Sequence, residues 1–157
     1  MRRASLPAFV PPATPSSGNA EMSEEARFAE YIDTFNNRNY EKLVTYYSPE
    51  IRLVNGTGRE LAGRDAIVDF YKKVNAFASR KIAICSSMSD GETLAAELKS
   101  TFTAMANAPD FPSGPMAKGD RLYINSFVFY EIAGGVYVKI RAAIFERRWM
   151  RAADEEQ

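Results

Sequence analysis

The chain is 157 residues long, enough for one domain that buries a core without disulfides. Its 20 basic and 20 acidic side chains cancel, which removes long-range attraction to nucleic acid or to an anionic membrane surface. With no histidine and one cysteine, Cys85, the chain lacks Ser-His-Asp and Cys-His catalysis, offers zinc a poor donor set, and fits a reducing, cytoplasmic setting.

Residues 1–22 hold Pro7, Pro11, Pro12 and Pro15 and no continuous apolar stretch, so they read as a disordered tail rather than a secretory signal or an amphipathic leader. The domain is expected over 23–150. Ser23 is a plausible N-cap with Glu24 and Glu25 in the first turn, and Phe28, Tyr31, Ile32 and Phe35 recur at helical spacing. Tyr40, Leu43, Val44 and Tyr47 predict a short second helix that stops before Pro49. "IRLVN" (51–55) predicts a strand and "ELAG" a short return arm. A third helix is predicted over 63–78, with Ile67, Phe70, Tyr71, Val74 and Phe77 on its buried side.

The period then changes from helical to alternating. Four long strands are predicted, over 80–89, 93–105, 120–132 and 136–148, with turns at Asp90-Gly91 and Gly134-Gly135. The stretch 106–119, "ANAPDFPSGPMAKG", is too rich in proline and glycine for a regular element and reads as a long loop. "RAADEEQ" (151–157) reads as a charged, solvated tail. No apolar run approaches the ~20 residues of a membrane span. This order gives the α+β class, with helices on one face of a strongly curved, mostly antiparallel sheet. Such a cone suits an apolar ligand.

Three segments, "YIDTFNNRNYEKLVTYYSPEIRLVNGTG", "LAGRDAIVDFY" and "VKIRAAIF", together with the element order over about 23–150, resemble the nuclear transport factor 2-like superfamily. Within it the similarity is to the SnoaL-like polyketide cyclases and the ketosteroid isomerases. That fold hosts isomerases, hydrolases, dehydratases and plain binding modules. The isomerases hold an oxyanion with a helix tyrosine and a protonated aspartate, and move the proton with a second aspartate. The resemblance puts these positions at Tyr31, Asn125 and Asn55. Both carboxylates are thus amides, which removes the expected general base and argues against ketosteroid isomerisation.

The implied role of Tyr31 and Asn125 is to donate to a carbonyl or enolate oxygen, and that of Asn55 is to orient substrate or water. Tyr31 also reads as a core tyrosine, and Asn55 as a turn residue bonding its own backbone. Asn125 lies in line with Tyr123, Phe127 and Phe129, a face read here as the cavity side. A buried, unpaired amide costs on the order of 1–3 kcal/mol, so Asn125 needs Tyr31, backbone or a ligand beside it. Phe35, Leu98, Phe102, Ile140, Ala142 and Ile144 are expected to complete the cavity wall. Glu146 continues the Ile140–Ile144 side toward the rim and is the surviving candidate base, although it also reads as a surface partner of Arg147 and Arg148.

The expected activity is a cyclisation, isomerisation or dehydration of an apolar, carbonyl-bearing metabolite of polyketide or terpenoid type, without metal or organic cofactor. The other class is a non-catalytic ligand-binding or dimerisation module. An epoxide hydrolase of the limonene type wants an Asp–Arg–Asp set that the sequence does not offer convincingly. The resemblance also implies a homodimer through the outer sheet face, read as "SSMS", Lys99, Thr101, Ser126, Val128, Tyr130 and Arg141, with Trp149 at the sheet end or an interface.

Overall fold

The computed structural model describes residues 22–155; the expected disordered tail falls almost wholly on 1–21, outside the described residues. Helix α1 (Glu24–Asn36) begins where Ser23 accepts a hydrogen bond from the Ala26 amide at 3.1 Å. Arg38, at φ 55°, turns the chain into α2 (Tyr40–Leu43), which Asn39 caps and a single 3-10 turn over Val44–Tyr46 follows. Strands β1 (Tyr47–Val54) and β2 (Glu60–Ala62) form a small hairpin before α3 (Arg64–Phe77). Then come β3 (Ala78–Ser89), β4 (Thr93–Ala104), β5 (Arg121–Ala133), β6 (Val136–Met150) and the turn-length helix α4 (Ala152–Glu155).

The six strands form one curved, unclosed sheet in the order β2-β1-β6-β5-β4-β3, antiparallel throughout except where β1 runs parallel to β6. The class is α+β, as the element order predicts. One difference concerns the second helix. It ends at Leu43 and Tyr47 already belongs to β1, so Pro49 sits inside a strand. The strand tolerates it because the β1–β6 register is interrupted between Tyr47 and Arg52, where no ladder donor is required.

Helices α1 and α3 lie over the inner sheet face. Phe28, Ile51, Ile67 and Leu94 are fully buried in the larger core cluster, and Leu122 in a second cluster with Phe102, Phe111 and Met116. The larger cluster is organised around Tyr31. Its ring lies 5.2–5.9 Å from those of Phe28, Tyr46, Tyr47 and Tyr137 and 6.1 Å from that of Tyr130, mostly edge-on.

The loop 106–119 is closed on itself by reciprocal Ala108–Met116 backbone bonds of 2.8 and 3.0 Å. Trp149 packs on it: a Cβ at Gly114, whose φ is +126°, would stand 3.3 Å from the indole, while the Arg151 guanidinium covers the same ring at 4.1 Å. Asp120 ties the loop to the end of the sheet, accepting from the Ala117 amide (2.9 Å), Arg151 (2.7 Å) and the Ala152 amide (3.0 Å) while only 3% exposed. Arg121 and Glu155 add an ion pair at 2.6 Å. The start of the segment expected to be a solvated tail is therefore held against the domain.

Burial alone would raise the Asp120 carboxyl pKa, but the three donated bonds outweigh it and hold the pKa below its ordinary value. Asp120→Ala is expected to cost about 2–3 kcal/mol in urea unfolding near neutral pH. A carboxyl with a lowered folded-state pKa contributes its full stability above its unfolded value near 3.9 and loses it as pH falls toward the folded value. The difference between wild type and variant should therefore shrink below about pH 4.

Candidate functional site

Strand alternation decides which side chains meet the helices. In β4 the buried positions are Leu94, Ala96, Leu98, Ser100, Phe102 and Ala104; in β5 they are Leu122, Ile124, Ser126, Val128 and Tyr130. Between this face and the helices lies a cavity of about 120 Å³. Its wall includes Tyr31 and Phe35 of α1, Phe70, Tyr71 and Val74 of α3, Arg80 and Ile82 of β3, and Ile140, Ala142 and Ile144 of β6. Asn55, Gly56 and Thr57, from the turn after β1, and Phe111, Pro112 and Ser113, from the long loop, complete it.

Of the residues expected at the site, Tyr31, Asn55, Phe35, Leu98, Phe102, Ile140, Ala142 and Ile144 line this cavity. Five do not. Asn125, Tyr123, Phe127 and Phe129 occupy the outer sheet face, and Glu146 joins them there. Asn125 donates to Glu146 at 2.6 Å, Tyr123 lies under the Arg148 guanidinium at 4.3 Å, and Phe127 stacks on Phe145 at 4.5 Å. Phe129 lies under Arg141 at 5.3 Å and is 37% exposed.

The physical reason is register. Asn125 pairs with Lys99, and Ser126 with Leu98. Cross-strand partners share a face, so an inward Leu98 requires an inward Ser126 and an outward Asn125. Ser126, Val128 and Tyr130, expected on the outer face, thus line the cavity. Glu146 is displaced by a bulge: Ser126 pairs with Ile144 but Asn125 pairs with Glu146, leaving Phe145 as the extra residue. That one residue moves Glu146 off the side that Ile140, Ala142 and Ile144 share.

The Tyr31 hydroxyl is 2.6 Å from that of Tyr47, and either can donate. Burial, then the neighbouring tyrosines, pushes the Tyr31 and Tyr47 pKa values well above that of an ordinary phenol; burial also raises Tyr71 and Tyr130. All four stay protonated near neutral pH, so none of them is a base there. The Asn55 carbonyl oxygen is consumed by its own turn, accepting from the Thr57 amide (3.1 Å), the Thr57 hydroxyl (2.7 Å) and the Arg59 amide (3.0 Å). Its side-chain nitrogen forms no hydrogen bond among the described residues, and Asn55 lines the cavity.

Sequence reasoning missed Arg80. Among the described residues it is the only charged side chain lining the cavity, whose wall holds no carboxylate. Its signal was present as a phase: in "RKIAI" the arginine shares parity with Ile82 and Ile84, the apolar positions of the strand. Among the described residues no three His, Cys, Asp or Glu side chains are grouped to hold a metal ion, and no helix is long and apolar enough to cross a membrane.

A second groove, of about 540 Å³, runs between α3 and the long loop, and Phe70, Val74, Phe111 and Pro112 line both spaces. These four side chains form the partition between groove and cavity.

The model of the SnoaL-like domain family matches residues 28–140, and the chain belongs to that family. A SnoaL-like polyketide cyclase from Agrobacterium tumefaciens is 20% identical with a TM-score of 0.63, over 87% of this chain and 98% of that one. An LEH-like epoxide hydrolase from M. tuberculosis is 11% identical with a TM-score of 0.61, over 75% and 80%. A Catenulispora acidiphila protein with a ketosteroid isomerase-like fold is 12% identical with a TM-score of 0.58, over 73% and 82%. At these identities the likeness shows the fold. A search of curated protein sequences gives no match.

The cavity mouth is tightest at Gly56, where a Cβ would stand 2.6 Å from Ile144 Cδ1 and closer still to Cγ1. Gly56→Ala is expected to force Ile144 out of position and to cost about 1–3 kcal/mol in thermal or urea unfolding. Ile144→Ala in that background should recover part of the loss, a coupling that a double-mutant cycle measures directly.

Proposed function

We propose that this SnoaL-like protein binds a compact, apolar, carbonyl-bearing metabolite of polyketide or terpenoid type inside the cone and polarises its oxygen. The supporting observation is the composition of the wall: aliphatic and aromatic side chains with protonated hydroxyls, one arginine, Arg80, and, among the described residues, no carboxylate. The reaction best suited to such a wall is an isomerisation, cyclisation or dehydration through an enol or enolate. Tyr31 would donate to the developing oxyanion, and the side-chain nitrogen of Asn55 would orient substrate or water. No organic cofactor is part of this proposal. With Asn125 and Glu146 on the outer face, neither contributes to it, and the proton must leave to water or to a group on the substrate itself.

Volume narrows the ligand. A cavity of about 120 Å³ takes a single ring, whereas pockets for drug-sized molecules run to roughly 300–1,000 Å³. Anything larger must displace the Phe111–Pro112 partition into the neighbouring groove. The lack of a carboxylate among the described wall residues favours a second reading, in which the cone binds its ligand without turning it over.

Exchange of the α-protons of a small cyclic ketone into D₂O, followed by NMR, separates the two. Catalysed exchange that falls about 100-fold in Tyr31→Phe, with the fold intact, is the enzyme outcome. Saturable binding of the ketone without exchange is the binding-module outcome. Absence of both would sink the proposal.

The same proposal includes a homodimer through the outer sheet face, in a cytoplasmic setting consistent with the exposed free thiol of Cys85. Met88, Phe127 and Phe145 are each at least half exposed there, forming with Phe129 an apolar patch of the kind that marks interfaces. Light scattering should give twice the chain mass for the wild type and the single-chain mass for Phe127→Glu.

A further inference from the structure

Arg80 has an environment that a structural role does not account for. Its strand position, opposite Phe102 of β4, places the guanidinium over two aromatic faces, 5.1 Å from the centre of Phe35 and 4.9 Å from that of Phe102. One of its nitrogens donates to the Ser100 hydroxyl at 3.2 Å. Nε is shut away from solvent with no hydrogen-bond partner, and among the described residues Arg80 forms no ion pair. A guanidinium has five N–H donors in a planar fork, so most of its capacity is unused. The free part of its surface is cavity wall.

A half-buried cation with a shielded, unpaired N–H is best completed by a group of opposite sign. Among the described residues the chain supplies no such anion, since no carboxylate lines the cavity. The tyrosines that line the cavity, Tyr31, Tyr71 and Tyr130, are neutral. Burial lowers the Arg80 pKa from its ordinary value, the sign of a cation lacking its counter-charge.

We infer that Arg80 is the anchoring residue for the ligand's negative end, and that the ligand is a compact apolar monoanion, a ring-bearing carboxylate or an acidic enol bound as its enolate. The aromatic and aliphatic wall takes the hydrocarbon, and the guanidinium fork meets the two oxygens of a carboxylate or of a chelating dicarbonyl enolate. Ser100 holds the fork from behind. This deepens the reading of the cone as a small-molecule site, on which it rests: it adds an anionic group to the ligand and assigns the residue that selects it.

The test uses the full chain and three probes matched to the cavity: benzoate, its neutral isostere benzamide, and cyclohexanone, with affinities from calorimetry or ligand-observed NMR. Benzoate is expected to bind at least tenfold more tightly than benzamide. Arg80→Met should remove that preference, lowering benzoate affinity at least tenfold and cyclohexanone affinity by less, and Arg80→Lys should retain part of it. Thermal unfolding of Arg80→Met should stay close to the wild-type temperature, since a half-buried cation with no ion-pair partner among the described residues is exchanged for an apolar side chain of similar length.

Equal affinity of the wild type for benzoate and benzamide would overturn the inference without any variant. So would undiminished benzoate binding by folded Arg80→Met. Cyclohexanone binding with no benzoate binding would overturn the anion while leaving the proposed function standing. Failure of all three probes to bind would overturn both.

Discussion

A strand has two faces and a period of two, and that parity governs everything this molecule presents to a ligand. The four long strands β3 to β6 are paired over most of their length, so fixing one inward residue fixes its partners across the sheet. Leu98 inward carries Ser126 inward, and Ser126 carries Ile144. A single extra residue, Phe145, is enough to send Glu146 to the opposite side. The cavity wall is thus one coupled assignment rather than a set of independently placed side chains, and the outer face is its complement.

How much of this could be read from the chain depends on how far each signal reaches. The helices were legible because Phe28, Tyr31, Ile32 and Phe35 repeat at helical spacing, and the long strands because alternation persists between turn signals. The family positions at Tyr31 and Asn55 fell on the cavity wall. Asn125 did not, because "YINSFVFY" has aromatic residues on both faces: Tyr123, Phe127 and Phe129 on one, Tyr130 beside Val128 on the other. Hydrophobicity alone gives no parity for such a strand, and pairing with the clearer β4 pattern decides it. Bulges have no comparable sequence signal. Pro49 likewise reads as a boundary, yet the irregular β1–β6 ladder spares it the hydrogen bond it cannot donate.

The chemistry of the interior follows from where the carboxylates are not. The usual device for moving protons between carbon atoms is a side chain that accepts one near neutral pH, and burial pushes the tyrosines here away from that role. What the wall offers instead is hydrogen-bond donation and one positive charge in a medium of low polarisability, where such groups act more strongly than in water. Of the Asp–Arg–Asp set expected of a limonene-type hydrolase, the described residues of the cavity wall include an arginine and no acid. The electrostatics of this interior therefore suit holding negative charge better than shuttling protons.

Trp149 carries a consequence of another kind. It is the only tryptophan in the chain, and it lies against Gly114 on one side and Arg151 on the other. Gly114 belongs to the loop whose Phe111 and Pro112 separate the inner cavity from the outer groove. The indole is thus a built-in optical reporter of that loop. Its emission depends on the solvent and cation contacts around it, so any displacement of the loop on adding a small molecule would be read by stopped-flow fluorescence without a label.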